Sequence, residues 1–393
     1  MSTEGTATAA DSGPEPTFDG PFGPVRRRGT WLTRIGLGFA ISLTAVVIAG
    51  FAIRVPYTTI APGDALPLPP LVSVQGARTY PTPRGDIRLL FVREAYHVNL
   101  WQYVRARLDS DIDLVKDGAA NPGRLTPKQL NDQALQQMAD AKSFATAVAL
   151  KAAGYKVTAA PGLVVSDLTP GMPAIDVLDW GDVIVSADGH NIVAANDLSA
   201  AIAKHKVGDQ LALVVERAGK RLSVRVKVGV FPGDGRSSGP KGIGVELSPR
   251  FTFPVTVHVD TTNIGGPSAG LAMTLAIFDD LTAGDLTGGQ RVAVTGTIDP
   301  AGNVGEIGGI EQKAVAARAA HVKLFIVPQC SPDDPAAALA SCKADLVRTA
   351  KRAGSKIKVV PVSTFAQALE VLRDNGGAPV GQSVPTTSTT NAA

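Results

Sequence analysis

Cysteine, histidine and net charge are all scarce in this chain, and each scarcity closes off a class of function. Two cysteines, Cys330 and Cys342, occur in 393 residues, and the five histidines are scattered. Metal centres need clustered thiolates and imidazoles, and no C-x2-C pair is present, so no metal site is expected. The formal charge is only +3 and is spread along the chain. That argues against a nucleic-acid surface. One glycine-rich string, residues 231–241, ends on a lysine, but Pro240 separates Gly239 from Lys241. The spacing departs from G-x4-G-K-[ST], which excludes a phosphate cradle there, and no cofactor is expected.

One long uncharged run is present. Residues 35–53 carry no charge and are bracketed by Arg34 and Arg54. That is enough helix to cross a hydrocarbon layer of roughly 30 Å. Arg26, Arg27, Arg28 and Arg34 precede the run and only Arg54 follows closely. The positive-inside rule then puts the N-terminus in the cytoplasm and the rest of the chain outside, anchored to the cell membrane by a single span. A cleaved signal peptide, cut after Gly50-Phe51-Ala52, is the alternative; the run starts late and is long for a signal core. In an oxidising compartment the two cysteines are expected to close a short disulfide loop, Cys330 to Cys342.

The chain divides by composition. Its length allows two or three domains, and 45% hydrophobic residues can fill sizeable cores. Residues 1–30 read as a disordered tail, 31–54 as the membrane helix and 376–393 as a second disordered tail. Residues 55–155 read as a proline-rich linker followed by an α/β region of unassigned role. Strands are expected at 71–74 and 87–92, and a helix from Thr126 with a stripe of Leu130, Leu135, Met138 and Ala141. Trp101 and Tyr103 read there as core packing. Residues 156–231 hold short β runs around one short helix at 196–205, and residues 232–375 alternate strands and helices. The fold class is α+β and multidomain.

The chemistry concentrates in two glycine-led helix starts. Gly265-Gly266-Pro267-Ser268-Ala269-Gly270 leads into an apolar helix with Ser268 at its first turn. Gly308-Gly309-Ile310-Glu311-Gln312-Lys313 opens another. Backbone N–H groups at a helix start are unpaired and favour negative charge, so the 266–269 turn suits an oxyanion. A serine hydroxyl needs a base to act as nucleophile. No histidine stands in a persuasive context; His258 sits in an alternating strand. Lys313 has apolar neighbours, and burial would lower its pKa enough for it to serve.

Two resemblances follow from these residues. Thr169-Pro170-Gly171-Met172-Pro173-Ala174 and Gly181 to Gly189, with the helix start at 196–198, resemble a PDZ domain. The resemblance implies peptide capture on the edge strand Gly162, Leu163, Val164 and Val165. The run Gly266 to Gly270, then Val292 to Ile298, Gly302-Asn303-Val304, Ile307 to Lys313 and Phe325 to Pro328, resembles the Lon-type α/β proteolytic domain. It implies Ser268 as nucleophile, Lys313 as general base, Thr295 as a supporting hydroxyl, and Gly266, Pro267 and Ala269 as backbone of the oxyanion site. Gly265 stands where many Lon enzymes carry aspartate, and Thr297 replaces a usual glutamate. The Lon ATPase module is missing from the sequence. The layout resembles the small membrane-anchored Lon-like proteases of bacteria. It implies ATP-independent cleavage of unfolded or flexible extracytoplasmic proteins by a homo-oligomer. The rival reading is a non-catalytic PDZ adaptor on a degenerate protease domain.

Overall fold

The computed structural model describes residues 30–81, 84–232, 239–262 and 264–378. Nearly all of the tails expected at 1–30 and 376–393, and the middle of the 231–241 linker, lie outside the described residues. The chain forms two compact units, Met1–Ile53 and Arg54–Ala393.

In the first unit the described segment is one helix, α1 (Thr30–Ala52). Its stretch Arg34–Ala52 has a mean hydropathy of 2.2, and Phe39, Ile41 and Ile48 are exposed. It is long and apolar enough to cross a membrane. A helix that is apolar all round lacks the polar face that water requires.

The second unit holds two six-stranded sheets. The first has the order β18-β17-β14-β3-β1-β4. These strands are β1 (Tyr57–Pro67), β3 (Asp86–Ala95), β4 (Asp113–Lys116), β14 (Arg291–Val294), β17 (Leu324–Pro328) and β18 (Lys358–Val362). β3, β14, β17 and β18 pair in parallel, while β1 pairs antiparallel with β3 and β4. Helices cover both faces, and the side-chain period of two sorts the strands between them. Ile87, Leu89, Val292, Val294 and Ile326 share one core with α4 (Pro127–Ala152), α6 (Gly270–Leu281) and α9 (Phe365–Asp374). Leu90, Ala293, Phe325 and Val327 face the opposite core, with α7 (Ile310–Ala319) and α8 (Ala336–Ala353).

This sheet corrects the reading of residues 55–155 as a linker and a separate region. The proline-rich stretch is the strand β1, with a register shift between Pro62 and Ala65. β3 lies between β1 and β14 because its apolar run needs cover on both faces. α2 (Leu100–Leu108) and α3 (Asp117–Ala120) flank β4. α4 starts at a capping box in which Thr126 accepts from Gln129 N and Gln129 reaches back to the Thr126 amide. Met138, Ala141, Ala145 and Ala149 form its buried stripe. Leu135, expected in that stripe, is 49% exposed.

The second sheet has the order β12-β5-β6-β8-β9. It comprises β5 (Thr158–Leu168), β6 (Val183–Ala187), β8 (Gln210–Arg217), β9 (Lys220–Lys227) and β12 (Val245–Thr252), with β7 (His190–Asn191) beside β6. The helix α5 (Ala195–Ala203) covers it through Leu198 and Ala201. Ile243, beyond the linker, is buried in the same core as Val165, Ile184 and Leu213. Three short ribbons complete the fold. β2 (Val72–Gln75) pairs with β13 (Thr256–Val259), β10 (Gly229–Val230) with β11 (Lys241–Gly242), and β15 (Thr297–Ile298) with β16 (Val304–Gly305).

Candidate active site

α6 begins at Gly270 with Ala269 as its N-cap, so Ser268 precedes the helix by two residues rather than lying in its first turn. The serine backbone is held from the sheet side. Its carbonyl accepts from Gly296 N at 3.0 Å and from Thr295 Oγ1 at 3.2 Å. Thr295 follows β14 directly and donates its own N–H to Ile326 O at 3.0 Å. The parallel sheet therefore sets where Ser268 stands. The residue is half-buried.

Lys313 reaches it from α7. Gly309 caps that helix at φ 63°, a left-handed conformation that favours glycine, and its carbonyl accepts the Lys313 N–H at 3.0 Å. A Cβ on Gly309 would lie 2.8 Å from Val92 Cγ1 on β3. Glycine thus lets α7 start against the sheet and directs the lysine inward. Lys313 is 2% exposed. Its Nζ lies 2.8 Å from Ser268 Oγ and 3.2 Å from Thr295 Oγ1.

No carboxylate among the described residues pairs with this amine at ion-pair distance. Burial lowers the Lys313 pKa to about 7, opposed only by the charge of Glu94 on β3, which raises it. The amine can therefore be neutral near pH 7. A neutral amine can accept the serine proton at this distance, and the threonine hydroxyl orients it. Glu94 is the residue that pattern reading missed. It lies 219 positions from Lys313 in the chain, and no local signal joins the two.

The expected oxyanion backbone needs correcting. The Gly266 N–H donates to Ala134 O on α4 at 2.8 Å, and Pro267 has no N–H to give. The amides of Ser268 and Ala269 remain, with no partner among the described residues. Cys330 and Cys342 are joined at 2.09 Å, tying the end of β17 to α8.

The expected peptide-docking strand also needs correcting. Gly162, Leu163, Val164 and Val165 lie inside the sheet. β12 pairs with β5 on one side, matching Leu247 to Val165, Ser248 to Val164 and Pro249 to Leu163. β6 occupies the other side, matching Ile184 to Leu163. The edge is closed because the chain returns after the linker and adds β12 to it. The edge strand on this side of the sheet is β12 itself. It faces α5 across a groove of about 500 Å3 lined by Leu198, Ile202, Phe231, Ile243, Val245 and Leu247. The Ile243 carbonyl accepts from Ala174 N and the Gly244 carbonyl from Thr169 N. Trans peptide planes then turn the Gly244 and Val245 N–H groups the other way, away from the domain body.

Known proteins match this division. Residues 135–228 match the PDZ domain family, and residues 242–368 match the Lon protease (S16) C-terminal proteolytic domain. The Lon protease of Neorickettsia sennetsu is 32% identical over 117 residues, covering 29% of this chain and 13% of that protein. The Lon protease of Trichlorobacter lovleyi is 32% identical over 137 residues, covering 34% of this chain and 15% of that protein. The chain thus spans a small fraction of the length of these relatives. A PDZ domain of an SdrC-like protein from Listeria monocytogenes, solved by crystallography, is 27% identical with a TM-score of 0.21, covering 23% of this chain and 90% of that one. Residues 242–368 are a Lon-type proteolytic domain, carried behind a PDZ domain in the same chain.

Proposed function

We propose that this chain is a membrane-anchored, ATP-independent serine endopeptidase that uses a Ser268–Lys313 dyad. The single observation that carries the reading is the 2.8 Å approach of a buried, uncharged-capable amine to the hydroxyl of a half-buried serine. Lys313 takes the Ser268 proton as Oγ attacks the scissile carbonyl. The lysine then protonates the leaving amine and the acyl-enzyme forms. Water, deprotonated by the same lysine, releases the acid product. The Ser268 and Ala269 amides, which have no partner among the described residues, would donate to the developing oxyanion. Thr295 holds the lysine and the Ser268 carbonyl together.

The PDZ groove between α5 and β12 would take an extended chain as an added strand, with apolar side chains against Leu198 and Ile202. Flexible or unfolded proteins fit both sites. α1 would hold the catalytic unit at the outer face of the membrane, as the flanking arginines direct. The test is cleavage of an unstructured protein by the full chain in detergent. Ser268→Ala and Lys313→Ala should each lose at least about 10³-fold in kcat. Turnover equal to wild type in either variant would reject the dyad.

A further inference from the structure

The geometry points to α4 as the element that sets the reach of Ser268, through a seat that Ala134 makes for Gly265 and Gly266. This inference rests on the Ser268–Lys313 reading and adds to it a positioning device drawn from outside residues 242–368. Gly266 donates its N–H to the Ala134 carbonyl at 2.8 Å, two residues before the nucleophile. A carbonyl oxygen has two lone pairs, so Ala134 serves its own helix and this loop together. A Cβ built on Gly265 would lie 2.8 Å from Ala134 Cβ and 3.3 Å from the Ala134 carbonyl carbon and oxygen. Those are stiff atoms with no rotamer to move aside. The helix thus occupies the place a side chain at position 265 would need.

α4 is also unable to retreat. One residue earlier, Gln133 Nε2 donates to both Asp167 carboxylate oxygens, at 2.9 and 3.0 Å. Asp167 lies on β5 and also accepts from Trp180 Nε1 at 3.0 Å. Further along, Asp140 accepts from Ser248 Oγ on β12 at 3.1 Å. Met138, Ala141 and Ala145 are buried in the core shared with α6. The PDZ sheet and the α6 core therefore grip α4 from two sides. Its carbonyl at position 134 is a fixed reference from which the nucleophile turn is measured. A turn displaced by a side chain at 265 carries Ser268 Oγ out of the 2.8 Å approach to Lys313. Reacting groups tolerate little such error, and a displacement near 1 Å costs about 10²-fold.

The test measures kcat, KM and the melting temperature of the full chain in detergent. Gly265→Ala should lose about 10²-fold in kcat with KM within about twofold of wild type. Ala134→Gly alone should keep near-wild-type kcat at a lowered melting temperature, since glycine weakens a helix. The double variant, Ala134→Gly with Gly265→Ala, should recover most of the lost kcat. Should Gly265→Ala fail to fold, Ala134→Val presses the same seat from the helix side and should show the same kcat loss. Wild-type kcat in whichever of these two folds overturns the seat. So does a kcat loss that Ala134→Gly leaves unrestored in a double variant melting no lower than Ala134→Gly alone. Ser268→Ala separates the levels: full activity there sinks the dyad itself, whereas an inactive Ser268→Ala beside a fully active Gly265→Ala sinks only the seat.

Discussion

At the residue scale, the proposed chemistry turns on the lysine, and desolvation sets the charge of that lysine. Its nearest polar neighbours are two hydroxyls, which orient an amine without charging it. With the pKa lowered to about 7, the base form is populated at and above that pH. The expected profile of kcat/KM rises through pH 7 to a plateau and falls about tenfold per pH unit on the acid side. A steady-state pH series checks it, and a midpoint near an ordinary lysine value would contradict the burial argument. The same shift has a stability consequence with a definite sign. Between about pH 7 and pH 10 the unfolded lysine binds a proton that the folded one does not. Stability therefore rises with pH across that window, and the cost of burial is complete below it. Lys313→Met should raise the melting temperature most at pH 7 or below, with the gain fading towards pH 10.

At the element scale, two strands changed their meaning. β12 opens the matched proteolytic segment, yet it completes the PDZ sheet and forms an edge strand of it. On the proposed reading, substrate docking would depend on α5 and the 243–247 stretch, and not on 162–165. Ile202 is partly buried in the α5 wall of the groove. A carboxylate placed there meets apolar neighbours and resists burial. Ile202→Asp should raise KM for an unstructured protein substrate by roughly tenfold while leaving kcat unchanged. Cleavage of a peptide too short to bridge groove and dyad should be unaffected, and paired kinetics on the two substrates check this. An equal effect on both would point to a general disturbance of the fold.

At the scale of the whole molecule, the chain from Arg54 onward is one compact unit in which the two sheets share α4. α1 belongs to the other unit, and its apolar side chains are exposed. Anchoring and catalysis should therefore separate. The full chain should sediment with membranes and need detergent for release. A chain beginning at Arg54 should be soluble and retain kcat on an unstructured protein within about twofold, because Ser268, Thr295 and Lys313 all lie in the second unit. Fractionation followed by a cleavage assay reads both outcomes. Loss of kcat in the shortened chain would show that the helix does more than anchor.

Local chemistry carries much of this protein. The uncharged run at 35–53, the helix start at Thr126 and the two glycine-led turns are short-range patterns, and each reports an energy set within a few residues. Ser268 and Lys313 were legible for that reason. Pairing partners were not. Whether Tyr57–Pro67 leaves a membrane or enters a sheet depends on what lies beside β3, and nothing within that stretch encodes it. The closing of the 162–165 edge, the α4 carbonyl that takes the Gly266 amide and the reach of Glu94 to Lys313 join segments tens to hundreds of residues apart. Strand pairing and burial are set by which surfaces meet. Tertiary packing alone therefore decided which strand forms the edge, which amides remain free for an oxyanion and how far the lysine is removed from water.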